Sequence, residues 1–287
     1  MKIGIVSSNP NWSTLQLIES FKKRGCKTFE FSVREIVGRV SYGSRFEVKG
    51  FSLDELSAIV VRGIGMGSLE EVILRMDVLH RLSETVPVIN SPHSIERATN
   101  KYYTSSLIES LGLNSPKVFV SEDYVSAIKG FKELGEDVVI KPIFGSSGEG
   151  STRINNMDIA KTVFKALRVS RTVYYLQEYI EHGNEDIRCL VIGDEVVASV
   201  KRVGIGWKTN VSLGAKCIPF DVPDEIRENC VRLSRSLGCT YCGIDLIFSN
   251  GKYYFIEANA IPSWAGLQSA TGVEVADKIT DYILSSL

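Results

Sequence analysis

The chain has 287 residues, 44% hydrophobic and 23% charged, with a formal net charge of −1. That length allows one large lobe or two to three small ones, and the near-neutral balance argues against nucleic acid as the main partner. No apolar run reaches the roughly 20 residues that span a bilayer. The opening Met1-Lys2-Ile3-Gly4-Ile5-Val6 is cut too early by Ser7-Ser8-Asn9-Pro10 for a signal peptide, so a cytoplasmic protein without membrane partners is expected.

The first lobe, 1–90, alternates strand and helix. Strands are expected at 2–6, 27–31, 58–61 and 86–89. A helix at 14–23 is spaced through Leu15, Ile18 and Phe21 and ended by Gly25, and a second covers 69–82. This alternation predicts a small doubly wound α/β lobe on a parallel sheet, closed by Asn90-Ser91-Pro92. A second segment, 91–172, carries helices at 94–111, 124–134 and 158–168 around extended stretches at 117–120, 138–141 and 151–154. The third, 173–287, turns to strands at 173–178, 187–192 and 196–202, then a helix at 224–237, a hairpin and a final helix at 273–284. The fold class is α/β, with an α+β C-terminal part.

Six cysteines in a chain this long and apolar do not suggest a disulfide scaffold. Cys239-Thr240-Tyr241-Cys242 has a C-x-x-C spacing, but no second close Cys/His pair completes a zinc set. Packed thiols are expected.

The hairpin carries unusual acids. Gly243-Ile244-Asp245-Leu246-Ile247-Phe248 and Tyr253-Tyr254-Phe255-Ile256-Glu257-Ala258-Asn259 flank Ser249-Asn250-Gly251-Lys252, a strong turn signal. Antiparallel pairing brings Asp245 to Glu257, with Asn259 two residues on along the same face. Carboxylates brought together repel unless a positive charge intervenes, and such oxygen ligands suit Mg²⁺. A two-residue turn would pair Asp245 with Ile256 and split the acids between faces. The expectation is therefore an odd, three-residue loop, Ser249-Asn250-Gly251, with Gly251 left-handed in a bulge.

Gly145-Ser146-Ser147-Gly148-Glu149-Gly150-Ser151-Thr152 has Walker-like glycine spacing but no lysine before Ser151-Thr152, which excludes a P-loop NTPase. Its backbone N–H groups can still curl around anionic oxygens, with Lys141 at the end of the preceding strand as counter-charge. Leu176-Gln177-Glu178-Tyr179-Ile180 has the composition of a hinge that reads an adenine and a ribose. Asp186, Arg188, Arg202 and Lys208 add charge, and Thr209 and Asn210 neutral polar groups, to what would be a single sheet face.

The ordered set Lys101, Lys141-Pro142, Gly145 to Gly150, Gln177 to Ile180, Asp186-Ile187-Arg188, Arg202, Asn210, Gly243-Ile244-Asp245 and Glu257-Ala258-Asn259 resembles the ATP-grasp superfamily. Within it the chain is similar to the RimK-like glutamate ligases. The segment Ile261-Pro262-Ser263-Trp264-Ala265-Gly266-Leu267-Gln268 resembles the branch that glutamylates tetrahydromethanopterin.

The resemblance implies an ATP-grasp fold and a carboxylate–amine ligase working through an acyl phosphate, with Mg²⁺ or Mn²⁺. It implies ATP-phosphate binding by Lys101 and Lys141 with the Ser146, Ser147 and Gly148 loop. Gln177, Glu178, Tyr179 and Ile180 would hold adenine and ribose, and Asp186, Lys208 and Asn210 would line the nucleotide site. It implies metal ligation by Asp245, Glu257 and Asn259, and a γ-phosphoryl contact from Arg202. Arg62 and Arg188 would meet acidic substrate groups. The implied substrates are L-glutamate and a carboxylate-bearing acceptor, a pterin first. A deazaflavin coenzyme, a ribosomal protein tail or an amino-group carrier protein are the alternatives, and a non-catalytic ATP-binding regulator stands in another class. A homodimer or homotetramer is implied. The chain departs from the RimK-like Arg-x-Asn-x-His-Arg-Gly-Gly at Leu213, with Lys216 the nearby replacement cation.

Overall fold

A computed structural model describes residues 1–41, 45–145 and 148–287. The N-terminal part runs β1 (Lys2–Val6), α1 (Trp12–Lys23), β2 (Lys27–Phe31), three short strands β3 (Val37–Gly38), β4 (Phe46–Val48) and β5 (Phe51–Ser52), then β6 (Ala58–Val61), α2 (Leu69–Leu82) and β7 (Val88–Ile89). The sheet order is β2-β1-β6-β7, all parallel. The inner strands β1 and β6 are buried and read as apolar runs, as parallel strands do, while the edge strand β2 is only partly covered. The β3-β4-β5 sheet had no readable signal, because two- and three-residue strands carry no period.

Helices α3 (Pro92–Thr99) and α4 (Lys101–Ser110) occupy the span expected as one helix at 94–111. Asn100 divides them. It closes α3 with φ −82° and ψ 103°, and its side chain caps α4 by accepting from the Tyr103 N–H at 3.1 Å. Asparagine competes with the helical backbone in this way, and the break places Lys101 at the first turn of α4.

The central part holds β8 (Val118–Ser121), α5 (Tyr124–Glu133), β9 (Val138–Lys141), β10 (Thr152–Ile154), α6 (Met157–Val169) and β11 (Tyr174–Glu178), with antiparallel order β10-β9-β11-β8. Strand β11 therefore joins the central sheet, although the sequence reading set it at the start of the third segment. This sheet has its own core, with Phe131, Phe164, Tyr174 and Leu176 fully buried.

The C-terminal part comprises β12 (Glu185–Ile192), β13 (Glu195–Val203), β14 (Lys216–Pro219), α7 (Asp224–Leu237), β15 (Tyr241–Ser249), β16 (Lys252–Asn259), α8 (Ala265–Thr271) and α9 (Val275–Ser286). Its antiparallel order is β14-β13-β12-β15-β16. Cys189, Cys230, Cys239 and Cys242 pack in its buried layer as free thiols. Among the described residues no helix is long and apolar enough to cross a membrane.

The N-terminal and C-terminal sheets are fused. Ile3, Ile5 and Leu17 share a core with Leu190, Ile192, Trp264 and Ile279. Asn90, fully buried, donates to the carbonyls of Tyr241 (2.8 Å) and Ala260 (2.6 Å) and accepts from the Thr240 N–H at 2.6 Å. At the rim, Arg24, the C-cap of α1, forks onto Asp281 of α9 (2.5 and 2.8 Å) and reaches Asp277 at 3.0 Å, which also accepts from Ser20 at 2.6 Å.

The Ser20 and Arg24 contacts hold the Asp277 carboxyl below its ordinary range, and Arg24 does the same for Asp281. A depressed carboxyl contributes stability above its unfolded pKa and loses it as pH falls through the folded value. Both acids are substantially exposed, so solvent screening keeps the contribution to about 1 kcal/mol or less. Arg24→Ala should lower Tm by about 2–4 °C at pH 7, and the gap to the unaltered protein should close below about pH 4. Paired thermal melts across pH 2–7 check both limbs; a gap that persists unchanged at pH 2 contradicts the ionic account.

Candidate active site

The acidic hairpin reaches the expected face by another route. Ser249 pairs with Lys252, so the turn is the two-residue Asn250-Gly251, both left-handed (φ 49° and 75°). This corrects the three-residue loop. Asn-Gly accepts positive φ at both positions and so forms the turn whose twist matches its strands. Parity is restored by a bulge in β16: Leu246 pairs with Phe255 but Asp245 pairs with Glu257, leaving Ile256 as the extra residue. Asp245 and Glu257 thus stand opposite one another, Gly243 faces Asn259, and Ile256 joins Ile247 in lining the cleft.

Behind Asp245 lies a compact ionic lattice. The strand register sets Arg188 beside Asp245 and Asp186 beside Arg202. Arg188 forks onto the Asp245 carboxylate, its Nη2 2.6 Å from Oδ2, and Arg202 Nη2 lies 2.9 Å from the same oxygen. Arg202 also forks onto Asp186 (2.6 and 2.5 Å), whose Oδ2 accepts from the Thr209 hydroxyl at 2.5 Å.

Asp245 and Arg202 are each 4% exposed. Burial disfavours the charged Asp245, yet the two guanidiniums outweigh it and hold the carboxyl well below its ordinary range. Burial likewise opposes the Arg202 charge, and Asp245 and Asp186 overcome it. Asp186 goes the other way: burial, aided by Asp245, pushes its carboxyl up despite Arg202. The lattice is charge-neutral as a set of two arginines and two acids.

Across the cleft the cations are less matched. Lys141, at the end of β9, donates to Gln177 Oε1 at 2.6 Å. Burial depresses its pKa, Glu257 and Asp245 counter that, and Lys101 adds to it. Lys101 is depressed by burial and supported by Glu257; its Nζ donates to the Gly145 carbonyl at 2.8 Å. Lys208 Nζ lies 3.4 Å from the Gly148 carbonyl. Gly148 has φ +71°, and a Cβ there would stand 2.5 Å from Asn210 Oδ1, so the loop approaches the 204–214 segment as only glycine can. Ser146 and Ser147 lie outside the described residues.

At the far end, Glu178 Oε2 accepts from the Lys117 N–H at 3.1 Å and the Tyr179 N–H donates to the Asp137 carbonyl at 3.1 Å. Arg153 covers the Tyr179 ring at 3.4 Å from its centroid, itself held by Asp137. Among the described residues the Ile180 N–H has no backbone partner, which leaves a donor for a heterocycle.

The cleft therefore gathers Lys101, Lys141, Gly148, Gln177, Glu178, Tyr179, Ile180, Asp186, Arg202, Lys208, Asn210, Asp245 and Glu257. Three expected residues stand apart from its lining. Arg188 sits behind Asp245 as its anchor. Asn259 turns its Oδ1 to the Ile261 N–H at 2.9 Å. Arg62 is 6% exposed in the seam with the N-terminal sheet, 4.6 Å over the Trp264 ring and 2.8 Å from the Pro262 carbonyl. Sequence reading missed Trp207, Ile247 and Ile256 in the lining, and the Thr209 hydroxyl that fixes Asp186. Ile256 had no signal, since its exposure to the cleft depends on the bulge.

The donor set fits a hard divalent cation. All donors are oxygens, and among the described residues the Glu257 carboxylate accepts no hydrogen bond and forms no ion pair. Asp245 would share its oxygens with the arginines, and Asn259 Oδ1 keeps a second lone pair.

A cation-lined cleft between two antiparallel sheets, with a glycine loop at one lip and paired acids on the floor, defines an ATP-grasp ligase. The RimK-like ATP-grasp domain model matches residues 98–283, and the chain belongs to that family. It is 35% identical to a tetrahydromethanopterin:alpha-L-glutamate ligase of Methanocaldococcus jannaschii, covering 99% of this chain and 98% of the relative. Identity to an alpha-aminoadipate–LysW ligase of Saccharolobus solfataricus is 29% over 89% of this chain and 90% of that one. Among solved structures, the ATP-grasp ligase PsnB in complex with a minimal precursor, Mg and ADP superposes with a TM-score of 0.76 at 20% identity, covering 99% and 96% of the two chains.

Proposed function

We propose that the chain joins L-glutamate to the carboxylate of a pterin-type acceptor, consuming ATP and releasing ADP and phosphate. One observation carries the ATP half: Lys101, Lys141 and Lys208 face the cleft while the arginines opposite are already balanced by Asp186 and Asp245. Three cations are thereby left for a polyphosphate. Glu257 and Asp245, with Asn259 beside them, would hold Mg²⁺, or Mn²⁺ in its place, which when bound offsets charge on the phosphate oxygens.

The acceptor carboxylate oxygen attacks the γ-phosphorus, the bond to the β–γ bridging oxygen breaks, and ADP leaves. The glutamate amine then attacks the acyl carbon, phosphate departs with the C–O bond electrons, and the nitrogen loses a proton. The protein's part is to align reactants and stabilise charge. Arg202, fixed by two acids, is positioned for the transferring group. Lys101 and Lys208, which donate to the Gly145 and Gly148 carbonyls, would stand beside the phosphates at the lip of the cleft.

The acceptor class rests on the similarity to tetrahydromethanopterin ligases and on an apolar rim beside the cleft. Ile205 is 95% exposed, and Val211 and Leu213 lie open on the 3-10 segment Val211–Leu213. Leu213 stands where RimK-like relatives carry arginine, so the rim suits a flat organic ring better than an acidic protein tail. Lys216 is exposed on β14 and outside the cleft lining. A cytoplasmic homodimer or homotetramer with an α linkage completes the proposal.

The second reading, an amino-group carrier protein as acceptor, is favoured by the similarity to the LysW ligase. Purified protein with ATP, Mg²⁺, glutamate and a panel of pterin, deazaflavin and carrier-protein acceptors, read by product mass, separates them. A gain of one glutamyl unit on the pterin is expected. A gain only on the carrier protein would move the chain to the second reading.

A further inference from the structure

The chain has only three histidines, and two of them meet. His80 lies in the last turn of α2; His93 and Glu96 sit three residues apart at the start of α3. The imidazole rings of His80 and His93 are 4.5 Å apart at 63°. Glu96 bridges them: its Oε1 is 3.1 Å from His80 Nε2 and its Oε2 is 4.0 Å from His93 Nδ1. One ligand atom from each residue lies within 4.8 Å of the other two. None of the three lines the nucleotide cleft.

We propose that His80, His93 and Glu96 form a second, transition-metal site for Zn²⁺, distinct from the oxygen-only set at Asp245 and Glu257. Two imidazoles with one carboxylate are a borderline-soft donor set that favours Zn²⁺ over Mg²⁺. The His-x-x-Glu spacing puts both α3 ligands on one helix face, and the fourth position is open to water. The site is contributed by two helices that precede and follow the Val88–Ile89 strand in the chain. Bound metal would cross-link α2 to α3, and α3 runs directly through Asn100 into Lys101. The metal thus fastens the base of the segment that carries a phosphate-binding lysine, as a structural clamp away from the reaction.

The test uses the full-length chain carrying Glu257→Gln, so that the cleft site does not contribute, freed of metal and titrated with Co²⁺ while the visible d–d bands are recorded. One equivalent is expected, displaced by Zn²⁺ and not by millimolar Mg²⁺. His80→Ala and His93→Gln should each weaken it by more than about 100-fold, beyond the 10–100-fold typical of losing an outer-shell partner. Zn²⁺ should raise Tm of the parent and leave the His80→Ala/His93→Gln double variant unmoved. Co²⁺ binding unchanged in the double variant, or absent from a folded parent, would overturn the site and leave a solvated His80–Glu96 hydrogen bond. Neither outcome touches the ligase reading, which the product-mass experiment tests separately.

Discussion

Replacing Arg202 with alanine should lower turnover by about 10³–10⁵-fold, the range for removing an arginine that stabilises a transferring phosphoryl group, and should also cost about 3–5 kcal/mol of stability. The two losses have separable causes. Arg202 is buried between Asp186 and Asp245 and forks onto the first while contacting the second. Without it, among the described residues Asp186 keeps only the Thr209 hydroxyl, and two nearby buried acids face each other with Arg188 as their remaining guanidinium. Denaturant melts and steady-state ADP release measure the two effects on the same sample. Arg202→Ala combined with Asp186→Asn should recover much of the stability and none of the turnover, because it removes the orphaned charge without restoring the proposed contact to the phosphoryl group. A double variant that regained turnover would show that Arg202 acts only through the fold.

Glu257→Gln should do the reverse. Turnover should fall by about 10²-fold or more, while Tm stays within a few degrees. The carboxylate makes no hydrogen bond or ion pair among the described residues, so few folded-state contacts are lost. Its charge does support the protonated forms of Lys101 and Lys141, and removing it should let both lysines titrate lower. The pH–rate profile should accordingly lose its alkaline limb at lower pH. Turnover equal to the parent at saturating Mg²⁺ would remove Glu257 from the metal set.

Much of this arrangement was legible in the sequence because its signals are local and chemical. The parallel lobe showed in β1 and β6 as apolar runs, with helix α1 between β1 and β2. Lys141, the glycine loop and Gln177 to Ile180 could be placed because each lies at the end of a strand with a clear pattern. Asp245 opposite Glu257 was predicted correctly from a wrong turn. The pairing demanded an odd residue, and the bulge at Ile256, invisible in composition, supplied it in place of Ser249. Asn100 hid a helix break inside an otherwise continuous period, since asparagine signals a cap only once its neighbours are known to turn. The resemblance offered Arg188 and Arg62 as substrate arginines, and a lone arginine gives no sign of its structural partner: Arg188 forks onto Asp245, and Arg62 lies over Trp264 and donates to the Pro262 carbonyl.

Among the described residues, the core built on Phe131, Phe164, Tyr174 and Leu176 contains none from any of the other three sheets. The central sheet is therefore a cassette entered once before Val118 and left once after Glu178. A transplant between relatives that cuts at those two crossings would exchange one wall of the nucleotide cleft and leave the Asp245 floor, the Arg202 lattice and the Leu213 rim with the recipient. Chimeras cut there should inherit acceptor choice from the recipient body and loop behaviour from the donor sheet, so the two properties can be engineered one at a time.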